Sequence, residues 1–577
     1  MFSARRALNP VDFRAEWRGR ERFVIFDAHW GEGAAFAAWT DAWRNDPERP
    51  ARLHVIACAP IQAPALPGFQ RRLLPDGALT LDLLHAPLDV ALAQLGARID
   101  AVHLHHLDDA DSGFARALAR LLAFGATLHA PDLSAAHTAA LAATGWRFDS
   151  AQSARFASRK RFAPVAPAPE RRAVVIGAGL AGAAACERLC ARGWHVTLVE
   201  RHPQAAMEAS GNLAGISMPL LSKDDNLASR LSRAAYLFAL AYWERLGGIG
   251  AAIDGANCGV LWLSKDAIHA RLQHATALAR QFPPAYAEWF DGEAASARFG
   301  RLAADGAWLF PQGGWIRPAS ACQVMLDACG AGLRRRFGVG SVSLDRDGDG
   351  DGDGNGNGNG VDDHGASAEW RVRDARGVLI AQAPIVILAN GAGASDLAQA
   401  RGLPLVRVRG QVTHLAPGAL PDLGLVLCRE TYVTPACGGL RSAGATYDDD
   451  FDPLLRASSQ RENLDKVASM LGDGAIGQGA PLLGRVGFRS VATDRLPLVG
   501  VLPDPAFAPG AERLSELPRQ DGLYALLGYA SRGLTWAPLA AELLAASLEG
   551  EPLPLETALA AALDPGRFQL RGRRGAR

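Results

Sequence analysis

Gly177, Gly179 and Gly182 stand in the run "VVIGAGLAG", and Glu200 closes the next apolar run, "HVTLVE". Residues of these types in this order suit one task, holding a dinucleotide. The first glycine permits a tight turn, the second lets a pyrophosphate approach the backbone, and the third lets a helix pack closely on a strand. The acid accepts hydrogen bonds from the adenosine ribose and disfavours a phosphorylated one. Glycines alone would fit a turn in an unrelated sheet; strand, glycines, helix, strand and acid together are specific. A few residues on, "EASGNLAGISMPLLSKDD" presents Ser210, Gly211, Asn212 and Gly215, small enough for backbone to pass close to a flat ring, where N–H donors would tune a flavin. An ordinary loop before a helix at Asn226 reads these residues equally well. A nicotinamide dehydrogenase would supply a separate catalytic pair near here.

The elements that position these residues begin well before them. At 577 residues the chain exceeds one ordinary core and suggests about three folding units. Alternating proline in "PVAPAPE" marks a stiff linker over 164–170. It separates an expected first domain, 1–163, from a second, 171–566, followed by a basic tail, 567–577. The stretch 345–365, "DRDGDGDGDGNGNGNGVDDHG", cannot bury anything. It lacks the spaced ligands and closing glutamate of a calcium loop, so a surface insertion between two strands is expected, without stable structure. In the first domain, "RFVIFDAHWGEGAAFAAW", "RLHVIACAP" and "RIDAVHLHHLDD" place short apolar runs between helical patterns, which argues for a parallel α/β sheet. The second domain starts another α/β pattern at Arg172, interrupted by strand-rich stretches around Trp308–Trp315 and Val406–Thr446. It closes with "GLYALLGYASRGLTWAPLAAELLAASL", a strand, a glycine turn and a helix. The fold class expected is α/β: a Rossmann-like domain, then a dinucleotide-binding Rossmann domain carrying an inserted, mainly antiparallel substrate domain.

Lys and Arg number 60, as do Asp and Glu, so an RNA partner must be met by a local basic patch, with "SRKRF", "LRRRF" and "RGRRGAR" as candidates. No run of about twenty uncharged apolar residues appears, and "MFSARRALNPVDFRAEWRGR" is charged where a signal peptide is apolar; a cytoplasmic protein without a membrane segment is expected. The eight scattered cysteines read as reduced core thiols.

From Arg172 onward the chain resembles the glycine-oxidase-type FAD oxidoreductases, and most closely the C-terminal half of the MnmC family of bifunctional tRNA wobble-uridine enzymes. The resemblance rests on "VVIGAGLAGA", "ASGNLAGISMPLLSKDD", "GGWIRP", "VILANGAGA", "VRVRGQVTHL", "GATYDDDF", "RVGFRSVATDRLPLVG" and "GYASRGLTWAPL", in the family's order. It implies FAD, with Gly177, Gly179, Gly182 and Glu200 on the adenosine half, Ser210 to Gly215 near the isoalloxazine, and Gly391 and Gly393 beside the pyrophosphate. Arg532 and Gly533 would precede a helix whose positive end faces the flavin. Arg489 would grip a substrate carboxylate, although an arginine there could instead be a surface or salt-bridging group. The implied reaction removes the carboxymethyl group from carboxymethylaminomethyl uridine at the tRNA wobble position, in the anticodon loop, yielding the aminomethyl nucleoside and glyoxylate. An oxidase of free glycine or another small amino acid is the alternative.

The first domain resembles the family's other half, an S-adenosylmethionine methyltransferase, in "AWRNDPERPARLHV", "PGFQRRLLPDGALTLDLL" and "RFASRKRF". Its site departs from the pattern. "WGEGAAF" inserts Glu32 between Gly31 and Gly33; Ala59 stands where a ribose-binding acid belongs; "LLHAP" replaces a family LLxGD; and His105 and His106, with a shifted Asp108, stand where the catalytic aspartate is expected. An unmade hydrogen bond to a charged group costs about 1.5–3 kcal/mol, so S-adenosylmethionine binding is not expected. A degenerate domain, retained as a methyltransferase-like scaffold or as an RNA-docking module, is the reading. His103, His105 and His106 raise a metal ligand set, but His106 points away from the other two and no second cluster at ligand spacing follows, so no metal is expected.

Overall fold

The computed structural model describes residues 11–571, apart from 60–65, 75–76, 106, 108–112, 159–167, 169, 300–304, 347–368, 421–423, 473–475, 477–481 and 508–509. His106, Asp108 and Asp109, the linker core, most of the Asp/Gly/Asn stretch and all but Arg571 of "RGRRGAR" lie outside the described residues. The chain forms two compact units: Met1–Pro167 with Ala546–Ala560, and Ala168–Ala545 with Ala561–Arg577. The division is not linear, because the last turn of the long closing helix, Gly533–Glu549, and the segment after it group with the first unit.

The first unit is built on eight strands: β1 (Arg22–Asp27), β2 (Arg52–Ala59), β3 (Gly68–Leu73), β4 (Leu79–His85), β5 (Ile99–His103), β6 (Leu122–His129), β7 (Trp146–Phe148) and β8 (Ser153–Phe156). Their order is β3-β4-β2-β1-β5-β6-β8-β7. The five central strands are parallel, and β3, β7 and β8 run antiparallel to their neighbours. The central strands are apolar almost throughout because both faces are covered: Val24, Phe26, Ile56 and Val102 enter one core cluster, and Phe23, Ile25, Val55 and Ala101 the other. Chain order reverses between β1 and β5, so the crevice at their carboxyl ends is the position where such sheets hold ligands.

In the second unit β9 (Arg172–Ile176) and β10 (His195–Val199) lie in a six-stranded sheet with Leu333–Arg336, Ile385–Leu388, Arg519–Leu527 and an antiparallel edge strand, Leu498–Pro503. Packed in the same unit is an eight-stranded, mainly antiparallel sheet. Its longest pair, Leu405–Leu415 with Leu483–Ala492, is in register from Leu405 opposite Ala492 to His414 opposite Leu483. The strands flanking the Asp/Gly/Asn stretch, Val342–Arg346 and Trp370–Asp374, pair antiparallel. Among the described residues no helix is long and apolar enough to cross a membrane.

Candidate active site and its cofactor cradle

A cavity of about 730 Å³ opens in the second unit at the carboxyl ends of its parallel strands. β9 runs into Gly177, whose φ of +105° lies in the left-handed region. A Cβ there would stand 2.7 Å from the Ala389 carbonyl oxygen. At Gly182 a Cβ would strike the Gly177 carbonyl, so only glycine lets the helix Leu180–Cys190 lie this close to its strand. Glu200, at the end of β10, accepts the Ala178 and His202 N–H groups at 2.7 and 2.9 Å and lines the cavity. Two N–H groups thus fix the carboxylate, while its oxygens keep lone pairs for further donors.

Ser210, Asn212 and Gly215 line the same cavity. The Ser210 hydroxyl accepts the Leu180 N–H at 3.1 Å, which ties this segment to the first turn of the glycine-loop helix. Gly211 lies against the Arg485 guanidinium, which donates to the Met207 and Glu208 carbonyls at 2.7 and 2.6 Å and to Asn212 Oδ1 at 3.2 Å. Arg485 is therefore a clamp on the segment. Gly391 and Gly393 line the cavity in the turn after Ile385–Leu388; Gly391 has a φ of +57°, and a Cβ on it would meet no protein atom within 4 Å. Arg532 and Gly533 begin the helix Gly533–Glu549, and Gly533 abuts Leu180, so two helix N-termini converge on one cavity. Arg532 donates to the Met218 carbonyl at 3.2 Å, and burial lowers its pKa.

Arg489 lies on Leu483–Ala492 with its guanidinium across Gly410 of the paired strand. It donates to the Thr446 carbonyl at 3.1 Å and stacks on the Tyr447 ring at 4.1 Å from the centroid. Among the described residues no carboxylate pairs with it. Its supports are themselves fixed: the buried Arg409 donates to Asp448 at 2.8 Å and to the Asp452 and Leu454 carbonyls, while Arg456 binds Asp450 and Asp452. The acidic run of "GATYDDDFD" thus pins the loop that carries Tyr447. Arg407 also lines the cavity, between the rings of Phe451 and Phe488. Burial pushes the Cys428 thiol and the Tyr432 phenol each up to about 12, so neither cavity side chain accepts a proton near neutrality.

Residues 172–547 match the FAD dependent oxidoreductase family, DAO. Over nearly its whole length the chain is 40% identical to the tRNA 5-methylaminomethyl-2-thiouridine biosynthesis bifunctional protein MnmC of Azoarcus sp. (strain BH72), covering 96% of this chain and 91% of the relative. It is 39% identical to the protein of the same name from Burkholderia cenocepacia (strain HI2424), over 98% and 92%. The chain belongs to the MnmC family. Among solved structures, glycine oxidase from Geobacillus kaustophilus shares its fold with a TM-score of 0.53 at 21% identity, over 69% of this chain and 99% of that one. Iminodiacetate oxidase from Chelativorans sp. BNC1 aligns with a TM-score of 0.51 at 25% identity, over 66% and 96%. The cofactor of this MnmC family member is FAD. The cavity fits that group: besides its glycines it carries the Asn390 side-chain oxygen and the Ser490 hydroxyl, both buried and without a partner among the described residues.

Every site residue expected from sequence in this unit lines the cavity or, for Gly182 and Gly211, packs directly behind its lining. Ser210 stands closer to the glycine loop than its place in the sequence suggests. Sequence reading missed Arg407, Asn390, Ser490 and Tyr447. Arg407 had one available signal, its alternation with Arg409 along "VRVRG", which places both on one face of a strand. The others are brought in by long-range pairing.

In the first unit the glycine turn survives, with Gly31 and Gly33 at φ of +56° and +80°. The Trp30 ring packs over Gly33, where a Cβ would come within 2.7 Å of it, and lies tilted against the Phe36 ring at 5.7 Å. Glu32 is exposed and Ala59 is buried at the end of β2. His103 and His105 are buried against Asp27.

Proposed function

We propose that the second unit oxidises the carboxymethylamino group of a 5-carboxymethylaminomethyl-(2-thio)uridine at the wobble position of a tRNA anticodon loop, and that the first unit no longer methylates the product. Bound FAD supplies the two-electron acceptor. The observation that carries the reading is Arg489, an arginine with no acidic partner among the described residues, held over the cavity by stacking on Tyr447 and by the Thr446 carbonyl. A guanidinium so fixed grips a carboxylate at two points and sets the adjacent methylene against the flavin. Gly177, Gly179, Gly182 and Glu200 hold the adenosine side, with Gly391, Gly393 and Asn390 along the pyrophosphate path.

The carboxymethyl carbon loses a hydride and the nitrogen its proton, leaving a C=N bond. Water adds to that carbon, and the C–N bond breaks to release glyoxylate and the aminomethyl nucleoside. With Cys428 and Tyr432 held protonated, neither deprotonates the amine, which must arrive neutral. Iminodiacetate, named as the substrate of a structural relative, also carries carboxymethyl groups on an amine nitrogen, the same class of reacting bond. A cytoplasmic location accords with a tRNA substrate.

For the first unit, the support is Trp30 seated on the glycine turn and the missing acid at Ala59, the two positions where a nucleoside cofactor would be gripped. An oxidase of free small amino acids is separated from the tRNA reading by supplying both substrates to purified protein: glyoxylate released from modified tRNA, and little from glycine at equal concentration, supports the proposal; the reverse overturns it.

A further inference from the structure

We infer that the first unit binds a divalent transition metal, with Asp27, His103 and His105 as ligands. The three ligand atoms come from two strand ends and lie within 4.8 Å of one another, all three residues being buried. His103 Nδ1 is 3.2 Å and His105 Nε2 is 3.1 Å from the same oxygen, Asp27 Oδ1, which also accepts the His29 N–H at 3.3 Å.

Those distances are longer than a charged pair's. A charge-assisted N–H to carboxylate bond settles at about 2.7–2.9 Å, and the Arg71–Asp82 pair in the same unit does so, at 2.8 and 2.7 Å. Tetrahedral bonds of about 2.0–2.2 Å to zinc place neighbouring ligand atoms about 3.3–3.6 Å apart, so a shift of a few tenths of an ångström in Asp27 Oδ1 would seat an ion among all three ligands. Two imidazoles and one carboxylate also make a donor set suited to zinc and similar borderline ions.

The location is an independent argument. β1 and β5 flank the point where strand order reverses, and Asp27 and His103 are their last residues. Two more imidazoles surround the trio: His29, with its ring 5.5 Å from that of His105, and His129, the last residue of β6, stacked at 5.9 Å on His103. Both are only partly buried, which leaves an entry path and a side from which water or His29 completes the shell. The crevice in which parallel sheets hold ligands has here collected four histidines and an aspartate from three strand ends. No second metal cluster occurs among the described residues. The expectation from sequence, no metal, missed Asp27 because it lies on another strand.

The test uses the full-length, untagged holoenzyme, stripped with a chelator, dialysed against micromolar zinc chloride and washed; zinc and flavin are then measured per chain. The expected result is about one zinc per chain, reduced at least tenfold in Asp27→Asn and in His105→Gln, with flavin unchanged as the control for folding. Hydrogen exchange on the wild-type protein needs no variant: zinc should slow exchange in peptides covering residues 24–31 and 99–105 and leave the flavin unit unaffected. Wild-type protein that retains no zinc, variants with flavin that retain as much as wild type, or protection confined to other peptides would overturn the assignment.

Discussion

Two parallel sheets in this chain start alike, each with an apolar strand followed by a glycine turn that enters left-handed backbone and then a helix, and they part at the strand ends. In the flavin unit the turn at Gly177 is kept clear, Glu200 is fixed by two N–H groups, and two helix N-termini face one cavity. In the first unit the turn at Gly33 is covered by Trp30, the second strand ends in Ala59, and the ends of β1, β5 and β6 carry Asp27, His103 and His129. Backbone framework and binding chemistry are therefore separable. The sheet persists because its apolar strands still bury both faces, whereas the site depends on a few side chains that contribute little to that burial.

The sharpest way to break the contrast is at Gly182. Gly182→Val should abolish FAD binding, because even the first carbon of a side chain collides with the Gly177 carbonyl; absorbance of the purified variant measures it. The next effect is on stability. Glu187 is buried among Arg188, Arg245 and Tyr242; burial raises its pKa, but the two guanidiniums outweigh burial and hold it at about 2. A carboxyl depressed from 4.5 to about 2 contributes stability that is fully present above 4.5 and is lost as pH falls toward 2. Glu187→Gln should therefore destabilise the flavin unit by about 3–5 kcal/mol at neutral pH. The gap from wild type should narrow below pH 4.5, as measured by urea unfolding with flavin release as the signal.

Much of this contrast is legible in the sequence, for a physical reason. Gly177, Gly179, Gly182 and Glu200 act within one local β-α-β unit, where spacing along the chain fixes spacing in the fold, and the losses at Glu32 and Ala59 fall in the matching unit of the first domain. What sequence does not reveal depends on pairing between distant strands. Arg489 meets Gly410 through a register set across some eighty residues, and Tyr447 reaches Arg489 only because Arg409 pins the acidic loop. Arg485, four residues before Arg489 on the same strand, is instead a clamp on Met207–Asn212. Asp27 and His105 meet only through the neighbouring positions of β1 and β5.

A smaller effect sharpens the flavin side. Arg489→Lys should retain FAD yet lose roughly 10- to 100-fold in kcat/KM on modified tRNA, since loss of a charge-assisted hydrogen bond corresponds to about 1.5–3 kcal/mol. Unchanged kinetics would move the carboxylate partner to Arg407 or to Arg429, which also lines the cavity. Smaller still is the pH dependence: with Cys428 and Tyr432 held protonated near neutrality, kcat/KM should rise with pH as the substrate amine loses its proton. Steady-state rates on one tRNA substrate across neutral to mildly alkaline pH check this.

The central claim is that one sheet catalyses and the other does not. Purified holoenzyme, given tRNA bearing carboxymethylaminomethyl uridine together with S-adenosylmethionine and followed by nucleoside mass spectrometry, tests both halves at once. Glyoxylate and the aminomethyl nucleoside are the expected end products. Conversion onward to the methylaminomethyl nucleoside would contradict that claim.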